Sequence, residues 1–265
     1  MKTLNKKWKE FVFAASGFGP NLLMVLLMAY FTDAVYPIGL TADKASWSIT
    51  GYTLIYAPIF GVLWMLGKAF DGIVDVPLAA LTDNMRTKWG RRRPPIAVAF
   101  LPMAVCYALA WIPLTYTENS IGNTIWMIGM AVIFFASYTM CLISFYGSLS
   151  HVCDSEEQRM RVSSYKSFFD TIGYCIVYAL IPVFIGLGIN IRTIALIGLP
   201  LMLTMLIPIF MIKEGEKYGE DISTAREPRT PMLKSLSLTF KNKLFLWWVL
   251  ANSCSFFGLQ MFLSA

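Results

Sequence analysis

Long apolar runs separated by short polar connections dominate this chain. Seven of them approach or exceed the ~20 residues a helix needs to cross a ~30 Å hydrocarbon core. They cover residues 11–31, 48–81, 95–114, 124–149, 163–187, 193–212 and 244–265. Each run is continuous rather than alternating with period two, so the pattern predicts helices and excludes a transmembrane β-barrel. The second run is 34 residues long, more than the core alone accommodates. It predicts a helix that tilts steeply or projects into water.

Composition agrees. Apolar residues make up 57% of the chain and charged residues 14%, against ~25% charged in soluble proteins. The mean hydropathy is +0.59. A soluble domain, a disordered chain, a coiled coil and a disulfide scaffold are all excluded. The five cysteines, at 106, 141, 153, 175 and 254, show no C-x-x-C spacing and read as small packing residues. The chain is expected to be an all-α integral membrane protein, monomeric and surrounded by lipid bilayer.

Charge orients it. Of 22 Lys and Arg, four lie in the N-terminal tail, five in the loop after span two, two after span four and seven between residues 213 and 243. Those 18 fall on one side, against Lys44 and Arg192 on the other. Positive loops stay in the cytoplasm, which places the N-terminus on the cytoplasmic side of a cytoplasmic (inner) membrane. The pI near 9.0 therefore reflects topology, with no nucleic-acid partner. The first run lacks a small-residue cleavage pattern and reads as an uncleaved span.

Five ionisable side chains fall within spans: Lys68, Asp71 and Asp75 on span two, Lys166 and Asp170 on span five. Each costs at least ~2.5–3.5 kcal/mol at membrane depth, so a use is expected. Lys68, Asp71 and Asp75 share one helical face by their i, i+3, i+7 spacing. Asp71 precedes Asp83, where the loop begins, by twelve residues, or ~18 Å, which sets it near the midplane. Two carboxylates one turn apart repel each other, and a proton or Na⁺ relieves that repulsion. Alternating-access carriers place their coupling ion at such depth. The competing reading is a pair of structural ion pairs, Lys68–Asp71 and Lys166–Asp170, but it leaves Asp75 without a partner.

The loop after span two runs from Asp83 through Arg86, Gly90, Arg91, Arg92 and Arg93 to Pro94. A weaker echo after span four contains Asp154, Arg159 and Arg161. The two acid-then-basic loops suggest a three-plus-three internal repeat. They also predict charge contacts at helix ends that hold one state of a two-state carrier.

Asp71-Gly-Ile-Val-Asp75-Val-Pro77, Thr82-Asp83 and Trp89-Gly-Arg-Arg-Arg-Pro94 resemble the glycoside–pentoside–hexuronide (GPH) cation symporter family, a group with the major facilitator superfamily fold. Thr32-Asp33 and the Asp154-to-Lys166 region are also similar. The resemblance implies that Asp71 and Asp75 bind the coupling cation, H⁺ or Na⁺, and that no other cofactor is used. Lys68 matches a basic position just before the pair. Lys166 falls where the family carries a basic residue near sugar and cation, and Phe145 where an aromatic ring stacks on the sugar. Tyr138 and Thr139 add polar groups on the same span. Two departures bear on cargo. The melibiose-carrying members hold galactosyl hydroxyls with acids on helices one and four, where this chain has Gly17-Phe18-Gly19-Pro20-Asn21 and Cys141 or Leu142. Val74 stands where those members have a polar residue, which removes one oxygen ligand and favours H⁺.

The family has twelve helices in two bundles. On that plan residues 1–212 form the N-terminal six-helix bundle, 213–243 a cytoplasmic linker, and 244–265 a seventh helix opening an incomplete second bundle. The expected function is cation-coupled symport of a sugar, glycoside or hexuronide by alternating access. The alternatives are a carrier of the same fold for a lysolipid or organic anion, and an intramembrane enzyme such as a prenyltransferase. Prenyltransferase aspartates sit at the water interface in two clusters, whereas Asp71 is deep and stands with a single cluster.

Overall fold

The computed structural model describes residues 7–37, 46–85, 87–153, 155–214 and 241–264. Among these, β pairing is limited to two isolated bridges, Ile55–Ser120 and Thr87–Gly90. The first apolar run is two helices, α1 (Lys7–Ala15) and α2 (Phe18–Val35). Pro20 has no N–H to donate to the carbonyl of residue 16, so the hydrogen-bond ladder fails there. Ser16 Oγ instead donates to the Phe13 carbonyl at 2.6 Å.

The second run resolves the length problem posed by its 34 residues. Helix α3 spans Ala57–Asn84, 28 residues, with a proline in its first turn. Residues 48–56 are not helical because their backbone groups are held elsewhere. Ile49 N–H donates to the Ala34 carbonyl and Leu54 N–H to the Val35 carbonyl, while Tyr56 N–H donates to Thr124 Oγ1 at 2.8 Å. A lengthening at the other end, to Asn84, partly compensates.

Helices α4 (Arg93–Ala110) and α5 (Ile121–Val152) follow. Ser120 caps α5 by accepting from Asn123 N–H. The Asn123 amide then closes the preceding turn, donating to the Thr115 carbonyl at 2.7 Å and accepting from Thr115 N–H at 3.0 Å. Helix α6 (Glu156–Cys175) begins seven residues before the apolar run does, capped by Ser155, which accepts from Gln158 N–H at 3.2 Å. A π-helical turn, Ile176–Leu180, carries it into α7 (Ile181–Gly186). The sixth run is α8 (Ile191–Ile197), a 3₁₀ stretch (Leu199–Leu206) and α9 (Ile207–Met211).

Helix α5 is the spine, packed on both α3 and α4, while α2 packs on α6 and on the 3₁₀ stretch. Gly19 makes that last approach possible: a Cβ there would lie 1.8 Å from the Leu201 carbonyl oxygen. Lipid offers apolar side chains as good a medium as a protein core, so close packing rather than water exclusion holds such helices. Aromatic rings supply much of it. Phe31 of α2 stacks on Trp64 of α3 at 5.4 Å and meets Trp111 edge-on at 5.8 Å. Tyr107 of α4 meets Phe134 of α5 at 5.4 Å.

Among the described residues, five stretches are long and apolar enough to cross a membrane: Lys7–Val35, Arg93–Ala110, Ile121–Leu149, Glu156–Gly186 and Ile191–Met211. Helix α3 has the length, and its three mid-helix charges lower its hydropathy. Large apolar side chains such as Met65, Leu66, Phe70 and Ile73 of α3 are exposed, as they are on a surface that meets lipid. This unit extends to residue 222, and residues 223–265 form another. The second unit contributes α10 (Lys243–Ser264), whose first turn is capped by Asn242 Oδ1, accepting from Leu244 and Phe245 N–H.

Candidate functional site

Two clusters of charge lie inside the first unit. The α3 cluster is strung along one helix face, and Asp71 is the fifteenth of its 28 residues, close to the middle of the span. Lys68 does not pair with it. The ammonium sits over the Phe135 ring of α5, 3.3 Å from its centroid, with Trp64 at 5.7 Å. An ammonium held against a ring face out of water gains roughly 2 kcal/mol, enough to compete with an ion pair that must itself be desolvated. Asp71 is left half-buried, and its Oδ1 is buried without a hydrogen-bond partner. The charges of Lys68 and Asp75 act on it with opposite sign. Asp75 is exposed, and its polar partner is the Thr139 side chain of α5. Thr139, expected at the substrate, thus lies at the acid pair, where it adds a hydroxyl oxygen to four carboxylate oxygens.

The α6 cluster is closed. Lys166 Nζ and Asp170 Oδ2 form an ion pair at 2.5 Å, one turn apart. Asp170 Oδ1 accepts from Asn21 Nδ2 at 2.8 Å, and Asn21 Oδ1 accepts from the Tyr138 hydroxyl at 2.7 Å. The chain of contacts therefore ties α6, α2 and α5 together. Tyr138 is buried and acts as the end of this chain. Beside it a cavity of about 170 Å³ is lined by Phe145, Tyr146, Ser163, Lys166, Ser167 and Asp170. Lys166 Nζ lies 5.0 Å from the Tyr146 ring centroid. Phe145 is almost wholly buried and stacked on Phe13 of α1 at 4.9 Å. The break at Ser16–Gly17 brings the backbone to this same place, with Lys166 Cε and Phe145 Cε1 both 3.9 Å from a Cβ built on Gly17.

At the helix ends the structure adds two glutamates that the loop motifs did not reveal. Glu214 Oε2 accepts from the backbone N–H of Arg91 at 3.1 Å and of Arg92 at 2.9 Å, and so caps the start of α4. Gly90, at φ +99°, makes room, since a Cβ there would meet Glu214 Cβ at 2.4 Å. Arg92 is buried and its guanidinium lies against Gly147 of α5, while Arg91 and Arg93 are more open. The corresponding place after span four is occupied by Glu10 of α1. It accepts from Gln158 Nε2 at 2.9 Å and from Arg161 Nε and Nη2, both at 3.2 Å. Arg159 is exposed on the first turn of α6. Arg86 and Asp154 lie outside the described residues, as does the side chain of Asp83. The signals for the missed partners were slight: an acid among lysines for Glu10, and a lone amide in an apolar run for Asn21.

Residues 12–265 match the family described as MFS/sugar transport protein. Over 188 residues the chain is 25% identical to the uncharacterized symporter sll1374 of Synechocystis sp., a match covering 68% of this chain and 31% of that protein. Over 125 residues it is 25% identical to the inner membrane symporter YicJ of Escherichia coli, covering 46% of this chain and 27% of the relative. The chain thus spans less than a third of the length of these relatives. The family is one of membrane transporters rather than enzymes. With its match running over nearly the whole sequence, the chain belongs to the MFS/sugar transport protein family.

Proposed function

We propose that this chain is the N-terminal part of a secondary active transporter that moves a sugar or glycoside together with H⁺ or Na⁺ across the cytoplasmic membrane. On this reading residues 1–212 form one six-helix bundle, 213–243 a cytoplasmic linker, and 244–265 begin a second bundle. The N-terminus faces the cytoplasm and the carrier works as a monomer. Both relatives are named as symporters, which supports the class.

The observation that carries the coupling role is the unsatisfied Asp71 carboxylate oxygen at mid-helix, beside Asp75 and Thr139. A buried polar atom without a partner costs about 1–3 kcal/mol, and a bound cation relieves that cost while cancelling the repulsion between the two acids. The cargo would bind at the cavity beside Lys166. At about 170 Å³ that cavity is smaller than the ~300–1,000 Å³ of complete ligand pockets. A facing bundle would supply the rest, and rocking of the two would open the site to alternate sides.

Uptake by the full-length transporter in proteoliposomes tests this. A panel of neutral glycosides, pentosides and hexuronides is offered under an imposed Na⁺ or H⁺ gradient, with Asp75→Asn alongside. Accumulation driven by one gradient, and lost in the variant while exchange persists, is the expected result. Full gradient-driven accumulation by Asp75→Asn removes the acid pair from the coupling mechanism.

A further inference from the structure

The α6 cluster bears on which cargo the site takes, an inference that rests on the transport reading above. A lone lysine beside a cavity suits an anionic ligand, and Lys166 in isolation would favour a hexuronide. The structure gives it a counter-charge. Asp170 holds the ammonium at 2.5 Å, and Asn21 holds Asp170 from the other side at 2.8 Å. Neither group is deeply shut away, with 12% of the Lys166 side chain and 26% of the Asp170 side chain exposed, so both still face the cavity they line.

Such a pair is net neutral but rich in both donors and acceptors. An ammonium has three N–H groups and a carboxylate about four lone-pair positions, and each partner here has spent only part of that capacity. A cargo with neighbouring hydroxyls can donate to the carboxylate and accept from the ammonium at once. Ser163 and Ser167 offer further hydroxyls, and the exposed Tyr146 ring offers an apolar face. A carboxylated cargo meets the opposite situation. It must approach the Asp170 carboxylate in a medium where like charges repel strongly, and draw Lys166 from a partner it already has. Specificity of this kind comes from what the site repels as much as from what it attracts.

We infer that Asp170, held by Asn21 against Lys166, is a specificity-determining residue that fits this site to an uncharged polyhydroxy cargo and closes it to carboxylated ones. The test compares uptake of a methyl glucoside, a methyl xyloside and glucuronic acid by the full-length transporter in proteoliposomes. Asp170→Asn keeps the size of the side chain and an oxygen acceptor for Asn21 but removes the charge. The wild type is expected to take up a neutral compound at least tenfold faster than glucuronic acid, and Asp170→Asn to narrow or reverse that ratio. Asp170→Glu, which restores the charge, should restore the preference. Lys166→Gln serves where Asp170→Asn does not fold: it leaves the carboxylate unopposed, so exclusion of glucuronic acid should tighten. Preference of the wild type for glucuronic acid, or a ratio unchanged by Asp170→Asn, overturns the inference and leaves sugar transport standing. So does entry of glucuronic acid into Lys166→Gln. No gradient-driven uptake of any of the three sugars overturns the transport reading and this inference with it.

Discussion

The two intramembrane clusters are built from the same residue types and end in opposite states. On α6, Lys166 and Asp170 are four apart, the spacing that places side chains one above the other on a helix, and they pair at 2.5 Å. On α3, Lys68 and Asp71 are three apart and do not pair, because Phe135 and Trp64 take the ammonium. The α6 carboxylate is then locked by an amide from another helix, whereas Asp71 keeps a buried oxygen without a partner. One cluster is paired as it stands, and the other keeps a buried acceptor unused. On the proposed transport reading, the paired cluster is the fixed surface that reads the cargo and the unpaired one senses the ion.

Removing the unpaired acid should have the largest effect. Asp71→Asn takes away a charged ligand, and truncating one member of a buried charge interaction typically costs about 3 kcal/mol, or ~100-fold in affinity. Cation-dependent uptake in proteoliposomes should fall by that order while the protein remains folded, since Asp71 makes no ion pair within 4 Å among the described residues. A variant with undiminished cation dependence would mean that the acid pair is structural after all.

Next in size is Phe135→Leu, which tests why the two clusters differ. Without the ring, Lys68 loses a contact worth up to roughly 2 kcal/mol and should turn to Asp71. The α3 cluster would then resemble the α6 one. Apparent cation affinity should drop about tenfold, with the affinity for cargo changed far less. An unchanged cation affinity would show that the ring does not hold Lys68 away. The matching perturbation of the paired cluster is Asn21→Leu. It strips Asp170 of one donor and the buried Tyr138 hydroxyl of its acceptor, a loss of about 1–3 kcal/mol. Thermal unfolding in detergent should register it as a lower Tm, whereas cation affinity should hardly move.

What the sequence made legible follows from range. Apolar runs report local burial, and six of the seven recur as helices or strings of short helices close to where the pattern put them. Acid spacing along one helix is likewise local, so Asp71 and Asp75 could be singled out together. The start of α3 was misplaced by nine residues because backbone bonds to residues 34, 35 and 124 decide it. Ser155-Glu156-Glu157-Gln158 did carry a capping signature, which marks the true start of α6 ahead of its apolar run. Glu10, Asn21 and Glu214 were hidden for a plainer reason. Their partners lie more than a hundred residues away, where no periodicity reaches. Lys68 shows the same limit in a different form: its spacing to Asp71 left an ion pair open as the competing reading, and a ring from α5 takes the ammonium instead.

The smallest effect expected is at Thr139, and it is also the one that separates two roles most cleanly. Sequence alone put this residue with the cargo, on the same span as Phe145. In the structure its side chain meets Asp75, two helical turns away from the Lys166 cavity along α5. Thr139→Val keeps the shape and removes only the hydroxyl, a change worth about 1 kcal/mol, or roughly fivefold. A ligand of the cation site should lose that factor in apparent cation affinity, with cargo affinity preserved when the cation is saturating, and Thr139→Ser should regain most of it. A residue that touches cargo should do the reverse. Titrating the ion at fixed cargo, and the cargo at saturating ion, measures both. If cargo affinity alone moves, the hydroxyl belongs to the fixed surface and the contrast between the two clusters loses one of its supports.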